Sequence, residues 1–302
     1  MSDRMAESAP EGQVVCRYCR TTHPPAGSSC PRCGAALDIR ASVSRSGWIE
    51  QPPIRDLARI QFGASRVQIE GTQLPVADFT LVGDEWIYFS HHVLLWLEPS
   101  VRITNTALAG AWNRMLSGMP LVMLEARGPG HVALSDNHAG ELIAIPLMPG
   151  QQVWTREHRF LTATGNVSYT WEQTGVWYVT GSGDDRETHY PLGQFGDLFL
   201  ARRTPGLLLL HSPGNTFLRD LGPGETVLVQ PSALLYRDVT VSTHLHLEYP
   251  SGTQGLSWRS SFSQRHVWLR LIGPGRVAVS SVFRHSGSEA ITNNSPATVQ
   301  RW

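Results

Sequence analysis

The sequence predicts an all-β protein, a body of repeated β units with pseudo-threefold character preceded by a small four-cysteine zinc ribbon. Three observations carry this expectation. Short apolar–polar alternations, broken by Gly, Pro and Asp clusters, run through residues 56–285, which is the pattern of half-buried strands. A Pro-Gly turn running into such a strand, Gly128-Pro129-Gly130-His131-Val132-Ala133-Leu134-Ser135, returns as Gly273-Pro274-Gly275-Arg276-Val277-Ala278-Val279-Ser280 and, more loosely, as Thr204-Pro205-Gly206-Leu207-Leu208-Leu209-Leu210-His211-Ser212. The whole cysteine complement, Cys16, Cys19, Cys30 and Cys33, is gathered in one short stretch near the start of the chain.

Residues 1–13 are polar and lack the hydrophobic core of a signal peptide, so they are read as a disordered start. Residues 14–37 hold Cys16-Arg17-Tyr18-Cys19 and Cys30-Pro31-Arg32-Cys33-Gly34, two Cys-x-x-Cys knuckles on either side of a short loop. Four thiolates match a closed tetrahedral site for one structural Zn2+. A segment this short has no room for an apolar core, so metal binding would supply its folding free energy. Two disulfides are the competing reading, disfavoured where no secretion signal precedes them. His23 is left as a loop residue. Arg17, Tyr18, Arg20 and Arg32 would suit nucleic acid, although so small a basic footprint favours protein contact. Residues 38–55, Ser-rich and closed by Pro52-Pro53, read as a semi-extended linker.

From residue 56 the alternation takes over. Residues 57–62 and 66–70 form a hairpin around Gly63-Ala64-Ser65, and residues 75–79 extend it. The best helical candidate is short, residues 109–116, and is stopped by Gly118 and Pro120. Leu81-Val82-Gly83-Asp84, Leu147-Met148-Pro149-Gly150 and Leu221-Gly222-Pro223-Gly224 recur at similar intervals along the chain. Each is followed by comparable strands, so three units of roughly 70 residues with about six short strands each are expected. Residues 286–302 lose the alternation and read as a loose tail.

These blocks resemble the AIM24 family, whose domain resembles the trp RNA-binding attenuation protein (TRAP) fold. The likeness rests on the two Gly-Pro-Gly copies, on Gly140-Glu141-Leu142-Ile143-Ala144-Ile145-Pro146-Leu147, on Phe160-Leu161-Thr162-Ala163 and on Leu221-Gly222-Pro223-Gly224-Glu225. It implies a TRAP-like β-sandwich body over about residues 56–285, often oligomeric, with no catalytic residues to carry over. The ribbon departs from the plain family pattern and leaves a partner-binding role open.

The composition narrows the chemistry further. Across 302 residues, 25 basic groups balance 25 acidic ones, and all 25 are arginine. No net field draws the chain to nucleic acid or anionic lipid, and Schiff-base, lysine-base and Walker-lysine chemistry are excluded. Apolar runs such as residues 207–210 fall far short of the roughly 20 residues that span a bilayer. The expectation is a cytoplasmic protein without a transmembrane segment. The Gly-Pro-Gly turns are poor phosphate loops, because proline removes a donor N–H and strands follow instead of helices.

Among twelve histidines, His244 and His246 share a strand face that Glu248 extends, a donor set compatible with a metal, though also the ordinary polar side of a half-buried strand. His92 and His158 are separated by the same interval as Leu81 and Leu147, the first repeat step, while the third position, near Gln230, is not histidine. The ten tryptophans are assigned to core and inter-strand packing. No catalytic residue, organic cofactor or small-molecule substrate emerges. The leading reading is a binding or assembly scaffold, self-associating or holding protein partners. The alternatives are a nucleic-acid-binding protein and a metal-dependent enzyme on the His244/His246 face.

Overall fold

In the computed structural model the described residues are 14–15, 21–23, 30–32, 46–50, 58–105, 123–180, 184, 186–248 and 266–283. The chain divides into two compact units, residues 1–50 and 51–302. In the first, β1 (Val14–Val15) and β2 (Thr22–His23) pair antiparallel, and β3 (Ile49–Glu50) follows. Cys30 is buried. Cys16, Cys19 and Cys33 lie outside the described residues, as do the two terminal segments, much of the linker and the helical candidate at 109–116.

The second unit is built of antiparallel strands. β4 (Ala58–Phe62) and β5 (Ser65–Glu70) form the expected hairpin. Its turn is fixed from outside: the Glu85 carboxylate accepts from the Ala64 N–H at 3.0 Å and from the Ser65 hydroxyl. Gly63, at φ +56, leaves the space that this carboxylate occupies, which a Cβ would fill.

One succession of six strands then occurs three times. The first consists of β6 (Val76–Leu81), β7 (Trp86–Ser90), β8 (Leu94–Leu97), β9 (Arg102–Asn105), β10 (Met123–Arg127) and β11 (Gly130–Leu134). The second consists of β12 (Glu141–Leu147), β13 (Gln152–Arg156), β14 (Phe160–Thr164) and β15 (Val167–Gln173), an inserted hairpin of β16 (Tyr178–Thr180) and β17 (Glu187–His189), then β18 (Phe195–Ala201) and β19 (Gly206–Ser212). The third consists of β20 (Thr216–Leu221), β21 (Thr226–Val229), β22 (Leu234–Asp238), β23 (Ser242–Glu248), β24 (His266–Ile272) and β25 (Gly275–Ser280).

The pairing repeats with the order. In every succession the last strand lies between the first and third, as β6-β11-β8, β12-β19-β14 and β20-β25-β22. The fifth lies between the second and fourth, as β7-β10-β9, β13-β18-β15 and β21-β24-β23. Neighbouring successions are then stitched by one further ladder, the third strand of the later one pairing with the second strand of the earlier. β14 pairs with β7 (Thr162↔Phe89, Ala163↔Tyr88, Thr164↔Ile87), and β22 pairs with β13 (Val153↔Asp238, Trp154↔Arg237, Thr155↔Tyr236).

Stitching produces a sheet with no solvent face along much of its length. In the β12-β19-β14-β7-β10-β9 sheet, Ile87, Phe89, Leu161 and Leu209 enter one core with Val67, Phe79 and Val132 of the β4-β5-β6-β11-β8 sheet. Tyr88, Phe160, Leu208 and Leu210 face the other way, into a second core with Val153, Phe199 and Leu235. That is why residues 160–164 and 207–212 are buried throughout, and why Leu207-Leu208-Leu209-Leu210 is a continuous apolar run where a one-faced strand would alternate.

The Gly-Pro-Gly turns are structural, as expected. Gly128-Pro129 and Gly273-Pro274 are both cis, and Gly130 and Gly275 take φ of +138 and +139. The turns share a cap: the His131 N–H donates to Glu98 Oε2 at 3.0 Å and the Arg276 N–H to Asp238 Oδ2 at 2.8 Å. Tryptophan usage is mixed. Trp154 is buried, and Trp86 and Trp171 pack against the core, but Trp96 is exposed. No helix among the described residues is long and apolar enough to cross a membrane.

Candidate functional site

The connection between second and third strands is short in all three successions. Residues 91–93 and 231–233 are single 3-10 turns, and residues 157–158 form a tight turn with His158 at φ 61. These turns carry His92, His158 and Ser232, and all three line one cleft of about 660 Å³. The pairing of His92 with His158 expected from their spacing is therefore found, while the third position is corrected from Gln230 to Ser232. The recurrence of Leu81, Leu147 and Leu221 leads there directly, because His92, His158 and Ser232 stand at the same two intervals. Gln230 precedes the third turn, where Ser90 precedes the first.

Leu192 and Gly193 join the lining from the segment before β18, and most of the rest comes from the ends of β11, β13, β19 and β25. Asp136 and His138 follow β11, Arg156 and Arg159 flank the His158 turn, His211 lies near the end of β19, and Val282 and Phe283 follow β25. Repetition of the turn-strand block explains His211, which stands where Ser135 and Ser280 end the two Gly-Pro-Gly copies. Asp136, His138, Arg156, Arg159 and His211 were not singled out from the sequence, since no periodic signal brings all of them to one place.

Asp136 is the hub. Its Oδ1 lies 2.7 Å from His138 Nδ1 and 3.3 Å from His211 Nδ1. His211 is almost fully buried, and its Nε2 lies 3.1 Å from the His138 carbonyl oxygen. A carbonyl can only accept, so that bond puts a proton on Nε2. Nδ1 faces the Asp136 carboxylate at 3.3 Å, so this buried dyad becomes an ion pair only when His211 carries protons on both ring nitrogens.

Burial pushes the His211 pKa down, opposed by the Asp136 charge and the His138 carbonyl and reinforced by Arg159. Exposed His138 is shifted up, first by its hydrogen bond to the Asp136 carboxylate. His92 is pushed down, by burial first and by neighbouring His91 next, against the pull of Asp136. Gly140 lets this segment close: a Cβ there would run into the Ser212 carbonyl and come within 2.8 Å of His211 Nε2. Arg156 Nη1 donates to the Ser232 carbonyl at 2.6 Å, tying the second succession to the third.

The cleft thus sets guanidinium and imidazole groups, which outnumber its carboxylates, beside apolar Leu192, Val282 and Phe283. The His244/His246 face has a different setting. Both side chains are half-buried, with Arg270 and Trp268 as their cross-strand partners on β24, and the Glu248 side chain lies outside the described residues. Among the described residues, no group of three His, Cys, Asp or Glu is placed to hold a metal ion.

Fold and cleft together define an all-β protein of strand-sharing antiparallel units around a histidine- and arginine-lined depression. The sequence profile described as mitochondrial biogenesis AIM24 matches residues 67–282, and the chain belongs to that family. Among solved structures, a crystal structure of a Streptococcus pyogenes protein, a Northeast Structural Genomics Consortium target, is similar at a TM-score of 0.52 and 19% identity. The likeness covers 72% of this chain and 94% of that one, and it supports the fold alone. No curated protein matches the sequence.

Proposed function

We propose that this chain is a non-enzymatic binding and assembly scaffold of the AIM24 type. Its body is read as three copies of one TRAP-like β-sandwich unit, and its N-terminal residues 14–37 as a ribbon that binds one structural Zn2+ through Cys16, Cys19, Cys30 and Cys33 and makes partner contacts. The observation that carries the scaffold reading is the repeated stitching of β7 to β14 and of β13 to β22 in one register. Edge ladders that join units within the chain use the same pairing that an unpaired edge offers to another chain. The knuckle spacing and the buried Cys30 support the zinc assignment, and the cleft around Asp136 is the surface assigned to ligand or partner contact. The cytoplasm is proposed as its location.

Affinity purification of the tagged full chain from its native cells, with mass spectrometry, tests the scaffold reading. Specific protein partners, reduced when Cys30→Ser removes the ribbon's metal, are the expected result. Enrichment of nucleic acid in their place, or turnover of a small molecule by the purified chain, would overturn it. Metal analysis is expected to find one zinc per chain in the wild type and none in Cys30→Ser; zinc retained in that variant refutes the ligand set.

A further inference from the structure

Two internal ladders join three successions, and the same rule leaves one strand edge over at each end. By the rule, the third strand of one succession pairs with the second strand of the one before it. That uses β14 with β7 and β22 with β13. It leaves β8, the third strand of the first succession, and β21, the second strand of the third. Among the described residues β8 is the last strand of its sheet and β21 the last of its own, and the two share no ladder.

Their side chains differ from their counterparts in the same way. Leu161 and Leu235 are both 0% exposed, whereas Leu95, which takes their place in β8, is 56% exposed. Thr162 and Tyr236 are 1% and 4% exposed, whereas Trp96 is 45% exposed. In the second-strand position Tyr88 and Trp154 are 0% and 1% exposed, whereas Leu228 of β21 is 40% exposed. Large apolar side chains on an unpaired edge are a template for another strand, unless blunted by charge, proline or a cover. Neither β8 (Leu94-Leu95-Trp96-Leu97) nor β21 (Thr226-Val227-Leu228-Val229) carries a charge or a proline.

We infer that β8 of one copy pairs antiparallel with β21 of a second copy of this chain, repeating between molecules the ladder that stitches the successions within one. The inference rests on the scaffold reading and adds its self-association surface. Both internal ladders, carried over at the spacing of the successions, give one register: Trp96↔Val229, Leu97↔Leu228 and Glu98↔Val227. A second copy is the fitting occupant because each chain presents one edge of each kind and the two kinds are already partners in this fold. The contact is heterologous, so it closes a dimer or ring if the rotation allows and otherwise extends as a chain.

The test uses the full-length protein. Light scattering across a concentration series is expected to show a dimer or larger assembly. Leu228→Asp and Leu95→Asp, both at exposed positions, should weaken association by about tenfold or more with the unfolding midpoint of the monomer unchanged. Mixing a Leu97→Cys chain with a Leu228→Cys chain under mild oxidation should give a covalent heterodimer that the wild type, with its four native cysteines, does not form. A strict monomer at high concentration overturns the inference, as does a disulfide forming inside the Leu97→Cys/Leu228→Cys double variant at all dilutions, which would show the edges closing on each other within one chain. A monomer that still captures partners sinks this inference alone. An assembly that captures none sinks partner binding and leaves the interface standing.

Discussion

The ladder between β13 and β22 offers a sharp test of how the successions are held together. Trp154 sits in it, 1% exposed, opposite Arg237, whose guanidinium carbon lies 5.1 Å from the ring centroid. The indole Nε1 has no hydrogen-bond partner among the described residues, so Trp154→Ala forfeits packing and the cation–π contact. A fully buried Trp→Ala change costs about 3–5 kcal/mol, a large share of the roughly 5–15 kcal/mol that holds a typical domain. The indole in turn lies against Gly196 of β18, where a Cβ would overlap Nε1 and the adjoining ring carbons. Gly196 has no unusual φ, so Gly196→Ala is penalised for overpacking, about 1–3 kcal/mol. In the Trp154→Ala background the colliding ring is gone and the added methyl enters the cavity. The second substitution should then cost close to nothing or restore a little stability. Equilibrium denaturation followed by far-UV circular dichroism, on wild type, both singles and the double, gives the coupling energy. If Gly196→Ala costs the same in both backgrounds to within about 0.5 kcal/mol, the indole does not occupy this position and the account of the ladder is wrong.

Other outcomes follow from the same geometry. Leu161→Ala, at a fully buried position, should cost about 2–5 kcal/mol, while Leu95→Ala in the monomer should cost under about 1 kcal/mol; thermal or chemical melts compare them directly. Asp136→Asn should bring the raised His138 pKa back toward about 6.5, read from the imidazole proton shifts by NMR. The folded-state pKa of His211 is lowered, so as the pH falls through the ordinary histidine range the unfolded chain takes up the proton first and this group's effect is to lower stability. The loss levels off once folded His211 is protonated too. His211→Asn should therefore lose less stability than the wild type between about pH 7.5 and about pH 5.5; an equal loss refutes the buried dyad. His138 acts with the opposite sign, its small stabilisation present below the unfolded pKa and lost as pH rises through the raised one.

Much of this architecture is local in origin and was legible in the chain. The strand patterns read at residues 66–70 and 75–79 become β5 and β6, with every second side chain buried, because strand side chains alternate whatever they pack against. The two intervals between Leu81, Leu147 and Leu221 reappear in the strand order, and the Gly-Pro-Gly blocks become turns since their glycines alone accept the φ required. Knuckle spacing makes the zinc expectation in the same local way.

Other features depend on which strands meet, and no local pattern encodes that. Alternation says that Leu95, Leu161 and Leu235 belong to strands, yet only the assembled sheets bury two of them and leave the third exposed. The cleft illustrates the same division. Sequence spacing paired His92 with His158, but the Asp136–His211 contact joins two different successions and depends on the end of β11 meeting the end of β19. The sequence by itself determined the β class, the recurrence of its turn-strand blocks and the spacing of its cysteines, because each is set by near neighbours. Tertiary structure alone decided the strand partners, the burial of His211 and the two edges left unpaired among the described residues, because burial and pairing are properties of surfaces brought together across long stretches of chain.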